Sequence, residues 1–332
     1  MKKVFLTGAD GMLGSNLVRE LLVKGYRVKA FLEEGRETGT LDGIDIERSR
    51  GDLLSPSELQ DAMEGCTFAI HTAAITNVIP NRSEIIRRIN IEGTRNFVSA
   101  ALKCRIEKMV HVGTANSFGP GTRNNPGDET RPYCGGKYHL DYMDSKRQAQ
   151  DEILQAVHEK GLPAVIVNPT YMIGPFDSRP GSGEMILSIA TGKVPGYTRG
   201  GRNYVHVNDV VTGIINALER GKPGECYILG NSNLSYREIF TLIAETIGAK
   251  PPKLFMPKLL ALPFSALAPA LSALTRTRPR LNLSMAKISC DDHYFSSKKA
   301  IEELSLPQTD IKTAIKDCYD WFVKHGYVGQ QN

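Results

Sequence analysis

Short apolar runs alternate with amphipathic segments through the first half of the chain. Five of these runs predict buried strands, namely KKVFLTG, YRVKAFL, TFAIHTAA, KMVHVGTA and LPAVIVNP. The segments between them place apolar residues at helical spacing, as in SNLVRELLVKG and SEIIRRINIEGTRNFVSAALKC. Near-continuous apolar strands that alternate with such helices are typical of a parallel sheet covered on both faces. The pattern therefore predicts an α/β fold with a doubly wound parallel sheet over residues 1–170.

The alternation loosens in residues 171–332, where loops such as GPFDSRPGSGE and GYTRGGRNYVHV separate shorter elements. The segment CYILGNSNLSYREIF fits a strand followed by a helix. Ser235, with Glu238 three residues later, predicts a capping box at the start of that helix. A strongly apolar segment follows at residues 254–274, but Lys258 and three prolines argue against a continuous membrane-spanning helix. We expect a lid or wall over an apolar pocket, with a core helix next and a membrane-surface element as the least favoured alternative.

Composition excludes several function classes. Apolar residues make up 41% of the chain and charged residues 23%, close to the averages of soluble globular proteins. The net charge of +5 is spread out, so nucleic-acid binding is not expected. The densest basic cluster, Arg276, Arg278 and Arg280, is either a solvated loop or a contact for an anionic substrate group. Six separated cysteines and an N-terminus without a signal-peptide core suit a reducing cytoplasm, free thiols and no metal site.

A glycine turn follows the first strand. Gly8, Gly11 and Gly14 form the pattern G-x-x-G-x-x-G between that strand and an amphipathic helix, which is the context of a Rossmann dinucleotide site. Without side chains, the backbone can turn tightly and approach a pyrophosphate at the helix N-terminus. Glu33 ends the second strand, where an acid can bond the ribose hydroxyls and repel a 2′-phosphate. Small or polar residues also follow the other strands, at Asp52, Thr72, Ala73, Ala74, Thr114 and Asn168.

Eight motifs occur in order along the chain: TGADGMLG, GDL, IHTAA, NIEGT, VGTANSFG, YMDSK, NPTYMIGP and YVHVNDV. Together they resemble the extended short-chain dehydrogenases/reductases, the NAD-dependent epimerase/dehydratase superfamily. The chain looks closest to the dihydroflavonol 4-reductase-like and 3β-hydroxysteroid dehydrogenase-like members. The resemblance implies that residues 171–332 form a smaller substrate-binding α/β lobe, which is interleaved with the first part rather than an independent domain.

The resemblance also implies a catalytic set. Tyr142 would be the general acid/base and Lys146 its partner, while Thr114 would orient the substrate oxygen, with Ser117 as the less favoured substitute. Asn90 would help to hold a water in the proton path. Physical chemistry agrees, because a free phenol has a pKa near ~10 and a nearby ammonium stabilises the phenolate. Residues at i and i+4 share a helix face, although such a pair, taken alone, is usually an ordinary contact on a solvated face.

Carried over residue by residue, the resemblance gives a cofactor set. It comprises Gly8, Gly11, Met12, Leu13, Gly14, Glu33, Asp52, Leu53, Thr72, Ala73, Ala74, Tyr142, Lys146, Pro169 and Thr170. Asp52 and Leu53 would contact adenine, and Pro169 and Thr170 the nicotinamide. The reductase branch usually has arginine where this chain has Glu33, so NAD is favoured over NADP. Arg36 could still reach a 2′-phosphate.

The favoured function is reversible interconversion of a carbonyl and an alcohol on a small apolar or mixed substrate. Candidate substrate contacts are Asn116, Arg202 and His206, of which His206 is equally a structural residue; Asp209 looks structural. A nucleotide-sugar epimerase or dehydratase is the alternative, and it would need phosphate ligands such as Arg199. A non-catalytic dinucleotide-binding scaffold is the third hypothesis. Members of this family are often dimers, which here would form through the helices at residues 82–104 and 136–159.

Overall fold

The computed structural model of the protein describes residues 2–263, 265 and 282–328. Its strands are β1 (Lys3–Thr7), β2 (Arg27–Leu32), β3 (Glu47–Arg50), β4 (Phe68–His71), β5 (Lys108–Val112), β6 (Ala164–Pro169), β7 (Tyr171–Ile173), β8 (Gly196–Tyr197), β9 (Gly201–His206), β10 (Cys226–Leu229), β11 (Ser232–Ser235), β12 (Leu254–Phe255) and β13 (Asp292–His293). Its helices are α1 (Met12–Val23), α2 (Pro56–Met63), α3 (Glu84–Arg87), α4 (Gly93–Lys103), α5 (Asp141–Lys160), α6 (Glu184–Ala190), α7 (Val207–Arg220), α8 (Tyr236–Ile247), α9 (Leu283–Cys290), α10 (Lys298–Leu304) and α11 (Ile311–Lys324).

Seven parallel strands form the central sheet, in the order β3-β2-β1-β4-β5-β6-β10. Chain order reverses between β1 and β4, and ligands of such sheets bind at the carboxyl ends of the strands beside that reversal. The doubly wound parallel sheet predicted from the sequence is confirmed. β10 belongs to the second half of the chain, so that half completes the sheet of the first.

Apolar side chains cover both faces of this sheet. On one face, α1 and α7 pack buried leucines, isoleucines and valines against the strands. On the other, α2, α4 and α5 pack against a group of aromatic rings, in which Phe5 lies 5.7 Å from Phe31 and 5.9 Å from Phe97 between ring centroids. Burying one such side chain stabilises a fold by ~1.5–3 kcal/mol, so these two layers hold the strand ends in place.

A smaller layer is built around β9, which pairs with β7, β11 and β13. The segment GYTRGGRNYVHV, expected to be a loop, instead contains β8 and β9, because Tyr204 and Val205 are fully buried. The helices α6, α8 and α11 cover this layer. The predicted capping box at the start of α8 is confirmed, since Ser235 Oγ accepts the Glu238 N–H and the Glu238 carboxylate accepts the Ser235 N–H.

The apolar segment at residues 254–274 lies only partly within the described residues. Its first two residues form β12, which pairs with β8. Residues 264 and 266–274, and the cluster of Arg276, Arg278 and Arg280, lie outside them. No helix in the described ranges is both long and apolar enough to cross a membrane.

Candidate active site

The glycine turn between β1 and α1 has the shape that a bound pyrophosphate requires. Gly8 has a φ of +70°, and a Cβ there would lie 2.6 Å from Thr72 Oγ1. A Cβ on Gly14 would overlap the Gly8 carbonyl oxygen. Gly11 is the N-cap of α1 and makes no side-chain cap, so the first N–H groups of the helix, at Met12 and after, are free to meet an anion. The turn therefore fits a dinucleotide.

Four alternating charges extend from this turn to the end of β2. Arg36 donates to Glu33 Oε2 at 2.7 Å and to Asp10 Oδ2 at 3.2 Å. Arg179 donates to the same Asp10 oxygen at 2.7 Å. Asp10 is nearly buried, whereas the Glu33 side chain is 67% exposed. No motif of the sequence points to a role for Asp10 or Arg179. The one feature of the sequence that could have indicated Asp10 is its position inside the glycine turn.

The remaining predicted cofactor residues lie at the carboxyl ends of neighbouring strands. Thr72 donates to the Thr7 carbonyl at 2.7 Å, which holds the half-buried Ala73 and Ala74 beside the glycine turn. Pro169 ends β6, and the Thr170 hydroxyl donates to Asn203 at 2.8 Å. Further along the same edge of the sheet, Asp52 follows β3 and accepts the Leu54 N–H at 2.9 Å, and Leu53 packs against α4.

Lys146 is buried on the first turns of α5. The residue is 4% exposed, and its Nζ donates to the Val112 carbonyl at 2.7 Å. No carboxylate lies within 4 Å of its ammonium among the described residues. The closely packed histidines His71 and His111 are also buried. Burial and the charge of Lys146 lower the pKa of both, that of His71 to about 3, so both are neutral at pH 7.

Tyr142 lies one helical turn before Lys146 and is half-buried. Burial raises the pKa of Tyr142, while the hydroxyl of Thr114 and the charge of Arg202 oppose that rise. Burial also lowers the pKa of Lys146 to about 8. The alternative of a solvated helix face does not hold for this pair, because Lys146 is enclosed by protein.

Thr114 follows β5 and is the N-cap of a short 3₁₀ turn. Its Oγ1 accepts the Asn116 N–H at 3.3 Å, so its hydroxyl proton remains to be donated to another oxygen, that of Tyr142 or of a substrate. Asn116 is half-buried beside it. Ser117, the less favoured substitute, is fully enclosed, and its Oγ has no hydrogen-bond partner in the described part of the chain. These contacts favour Thr114 over Ser117 as the orienting hydroxyl.

Asn90 lies in a π-helical turn (Arg88–Glu92) between α3 and α4 and is 2% exposed. Its carboxamide accepts the Ile75 N–H at 2.8 Å and donates to the Ile75 carbonyl and to Ser145 Oγ, both at 3.0 Å. Asn90 therefore does not face solvent. Asn90 ties the loop after β4 to α5, and Ser145, between Tyr142 and Lys146, is a contact that the sequence analysis did not single out.

The two basic candidates for substrate contact have different surroundings. Arg202 donates to the Tyr236 hydroxyl at 2.7 Å and lies 5.4 Å from the Tyr171 ring centroid, and no carboxylate in the described residues lies within 4 Å of it. His206 uses both ring nitrogens structurally. Its Nδ1 accepts the Asn208 N–H as the N-cap of α7, and its Nε2 lies 3.1 Å from Asp317. These contacts favour the structural interpretation of His206.

Similarity to known proteins extends over nearly the whole chain. Residues 4–230 match the NAD dependent epimerase/dehydratase family. A Synechocystis protein, provisionally named a dihydroflavonol 4-reductase, is 35% identical over 332 residues, which cover 98% of this chain and 96% of that protein. Sterol demethylase protein B of Methylococcus capsulatus is 31% identical, and the match covers 97% of this chain and 99% of that protein.

Solved structures give the same result. The crystal structure of gox2253 matches with a TM-score of 0.88 at 33% identity, covering 99% of this chain and 100% of that one. DesIV, a dTDP-glucose 4,6-dehydratase of Streptomyces venezuelae solved with NAD bound, matches with a TM-score of 0.77 over 98% of each chain. At 19% identity, the second match shows the shared fold alone. The chain thus belongs to the NAD dependent epimerase/dehydratase family, the extended short-chain dehydrogenases/reductases, and is an NAD(P)-dependent enzyme of that type.

Proposed function

We propose that the protein interconverts a carbonyl and a secondary alcohol, with Tyr142 as general acid/base. The observation that supports this most strongly is the buried ammonium of Lys146, one helical turn from Tyr142. Within the described residues, its one hydrogen-bond partner is a backbone carbonyl. An uncompensated positive charge stabilises a phenolate. A bound dinucleotide would supply or accept the hydride.

Each site residue has a separate task in this proposal. A phenol is protonated at neutral pH, and burial raises the pKa of Tyr142 further, so Tyr142 can donate a proton to a carbonyl oxygen. With substrate bound, Thr114 would donate its hydroxyl proton to the same oxygen and orient it. Lys146 stabilises the phenolate that Tyr142 leaves behind. Asn90 fixes the first turns of α5 through Ser145, which keeps the phenol in place.

We propose NAD as the preferred cofactor. The acids Glu33 and Asp10 both lie at the end of the site where the adenosine ribose would bind, and both would repel a 2′-phosphate. Arg36, the cation that could have met that phosphate, is shared between these two carboxylates. Its charge is therefore already offset, and the balance favours a ribose with free hydroxyls.

The substrate proposed is a small apolar or mixed molecule that carries a carbonyl or secondary alcohol. The names of the relatives point to reductases and to a sterol-modifying protein. Arg202 offers a guanidinium near Tyr142 that could meet a polar group of the substrate. Conversion of a nucleotide sugar is the second candidate. Arg131, Lys137 and Arg199 line a groove of about 740 Å³ that could receive a phosphate, although Asp291, which pairs with Lys137 at 3.3 Å, lines the same groove. Net consumption of NADH would favour the first candidate, and isomerisation without redox change the second.

The test combines cofactor titration with turnover. NADH and NADPH are titrated against the unaltered protein and Glu33→Arg, and tighter NADH binding that shifts toward NADPH in the variant is expected. Turnover is then measured as the loss of NADH absorbance, with dihydroflavonols, cinnamoyl thioesters and 3-oxosteroids as trial substrates. Tyr142→Phe should lose roughly 10²–10⁴-fold in kcat and retain NADH binding. Tyr26→Phe, which removes a phenol that bonds Glu219 away from the site, is the control. Full activity of Tyr142→Phe would refute the catalytic role.

A further inference from the structure

A loop from the second half of the chain, residues 174–183, returns to the glycine turn and to α1. The Asn16 side chain donates to the Pro175 carbonyl at 3.0 Å, and the Arg19 guanidinium lies 3.9 Å from the Phe176 ring centroid. Arg179 of this loop donates to Asp10 inside the glycine turn at 2.7 Å. The loop therefore contacts the cofactor end of the molecule at three separate points.

Internal contacts fix the shape of this loop. The buried Asp177 carboxylate accepts the backbone N–H groups of Gly181 and Gly183, at 3.0 and 2.8 Å. Phe176 has a φ of +67°, a conformation that a bulky L-residue rarely adopts, so its neighbours must hold it there. The hydroxyl of Tyr327 donates to the Ser178 carbonyl at 2.7 Å. Arg179 therefore extends from a loop whose shape is fixed by internal contacts.

Charge explains why the glycine turn needs this contact. Asp10 places a carboxylate that is 9% exposed beside backbone groups that suit an anion, and an uncompensated carboxylate would weaken binding of a diphosphate there. Arg36 offsets part of this charge but is shared with Glu33. Arg179 has Asp10 as its one acidic partner among the described residues, and its Nη2 also lies 3.5 Å from the Asp10 carbonyl.

We propose that Arg179 is a cofactor-positioning residue supplied by the second half of the chain. Through Asp10 it offsets the negative charge inside the glycine turn and holds that turn in its binding shape. The inference rests on the proposed binding of a dinucleotide at this turn. Arg179 is 169 positions from Asp10 in the sequence and lies outside the motifs that indicate the cofactor site.

The test measures NADH affinity in Arg179→Met, which keeps an unbranched apolar stem and removes the charged guanidinium. Trp321, the single tryptophan of the chain, lies 6.0 Å from Phe176 between ring centroids, so its emission reports on the loop, while NADH binding is followed through the emission of NADH itself. We expect the Kd for NADH to rise about fivefold at low salt, and the difference to narrow at high salt. Arg179→Lys should recover most of the affinity. Arg27→Met, which removes a comparable ion pair with Glu47, should leave the Kd unchanged.

A second variant separates action through Asp10 from direct contact with the cofactor. In an Asp10→Asn background, Arg179→Met should have no further effect on the Kd, because the two residues act as a pair. A fivefold effect that persists there would overturn the proposal, as would an unchanged Kd in the single variant. If the unaltered protein bound neither NADH nor NADPH, the proposed function would fail together with this inference. Normal binding by the unaltered protein and by Arg179→Met would defeat the inference alone.

Discussion

Replacement of Lys146 by methionine should make the protein more stable at neutral pH while abolishing turnover. Burial lowers the pKa of Lys146 from 10.5 to about 8. At ~1.4 kcal/mol per pKa unit, the charged ammonium costs the folded state ~3 kcal/mol below pH 8. Methionine fills a similar volume without a charge. It loses the hydrogen bond to the Val112 carbonyl, worth ~1 kcal/mol, so the net gain near pH 7 is ~2 kcal/mol.

The stability difference between the unaltered protein and Lys146→Met should change with pH in a defined direction. The pKa of Lys146 is lower in the folded than in the unfolded protein, so between pH 8 and 10.5 the unfolded protein binds the extra proton. Stability of the unaltered protein therefore rises over that interval relative to the variant. By pH 10.5 the advantage of Lys146→Met should be gone, and the lost hydrogen bond should leave the variant slightly less stable.

Thermal denaturation at several pH values measures the effect. At ~2.1 cal/mol/K per residue, 332 residues give an unfolding entropy near ~0.7 kcal/mol/K, so 2 kcal/mol corresponds to a Tm increase of ~3 °C. Lys316→Met, which removes an exposed lysine paired with Asp320, is the matched control and should not become more stable. A variant that is less stable near pH 7, or whose Tm difference does not change with pH, would refute the view that Lys146 is held as a costly buried charge.

Two other side chains give independent predictions. Asn90→Ala should lower the free energy of unfolding by ~2 kcal/mol, because it leaves the backbone groups of Ile75 and the hydroxyl of Ser145 without their partner. Denaturant titration measures this loss, and kcat should fall with it; unchanged stability would contradict the contacts. Glu238 has a pKa lowered to about 2, chiefly by Arg123, so its contribution is present above pH 4.5 and is lost as the pH falls toward 2. Glu238→Gln should therefore flatten the acid limb of the stability profile measured by circular dichroism, and an unaltered limb would count against the pairing.

The sequence predicted the central sheet well because its inner strands are buried on both faces and read as continuous apolar runs. It did not indicate β3, whose residues ERSR alternate in exposure at the edge of the sheet. It also missed β9, since the glycines before that strand suggested a loop. In both cases local composition was polar or flexible, and the pairing with a neighbouring strand decided the structure.

The site was predictable to the extent that its residues fall at strand ends and at fixed spacing. Tyr142, Lys146 and Thr114 could be named from their motifs, but the burial of Lys146 depends on the packing of α5 against β5 and α4. The contact between Arg179 and Asp10 joins segments that only the complete fold brings together. The pairing of His206 with Asp317 also depends on an element more than a hundred residues away.

Stability alone does not account for the composition of this site. The fold holds an ammonium that no carboxylate of the described ranges offsets within 4 Å, beside two neutral histidines, and a methionine in its place should make the protein more stable. A structural role would be better filled by an apolar side chain, because a buried ion without a partner is costly. In the proposed mechanism, the charge of Lys146 acts on the negative charge that develops on Tyr142, one helical turn away. The same burial that makes the folded protein less stable would then favour proton transfer at this position.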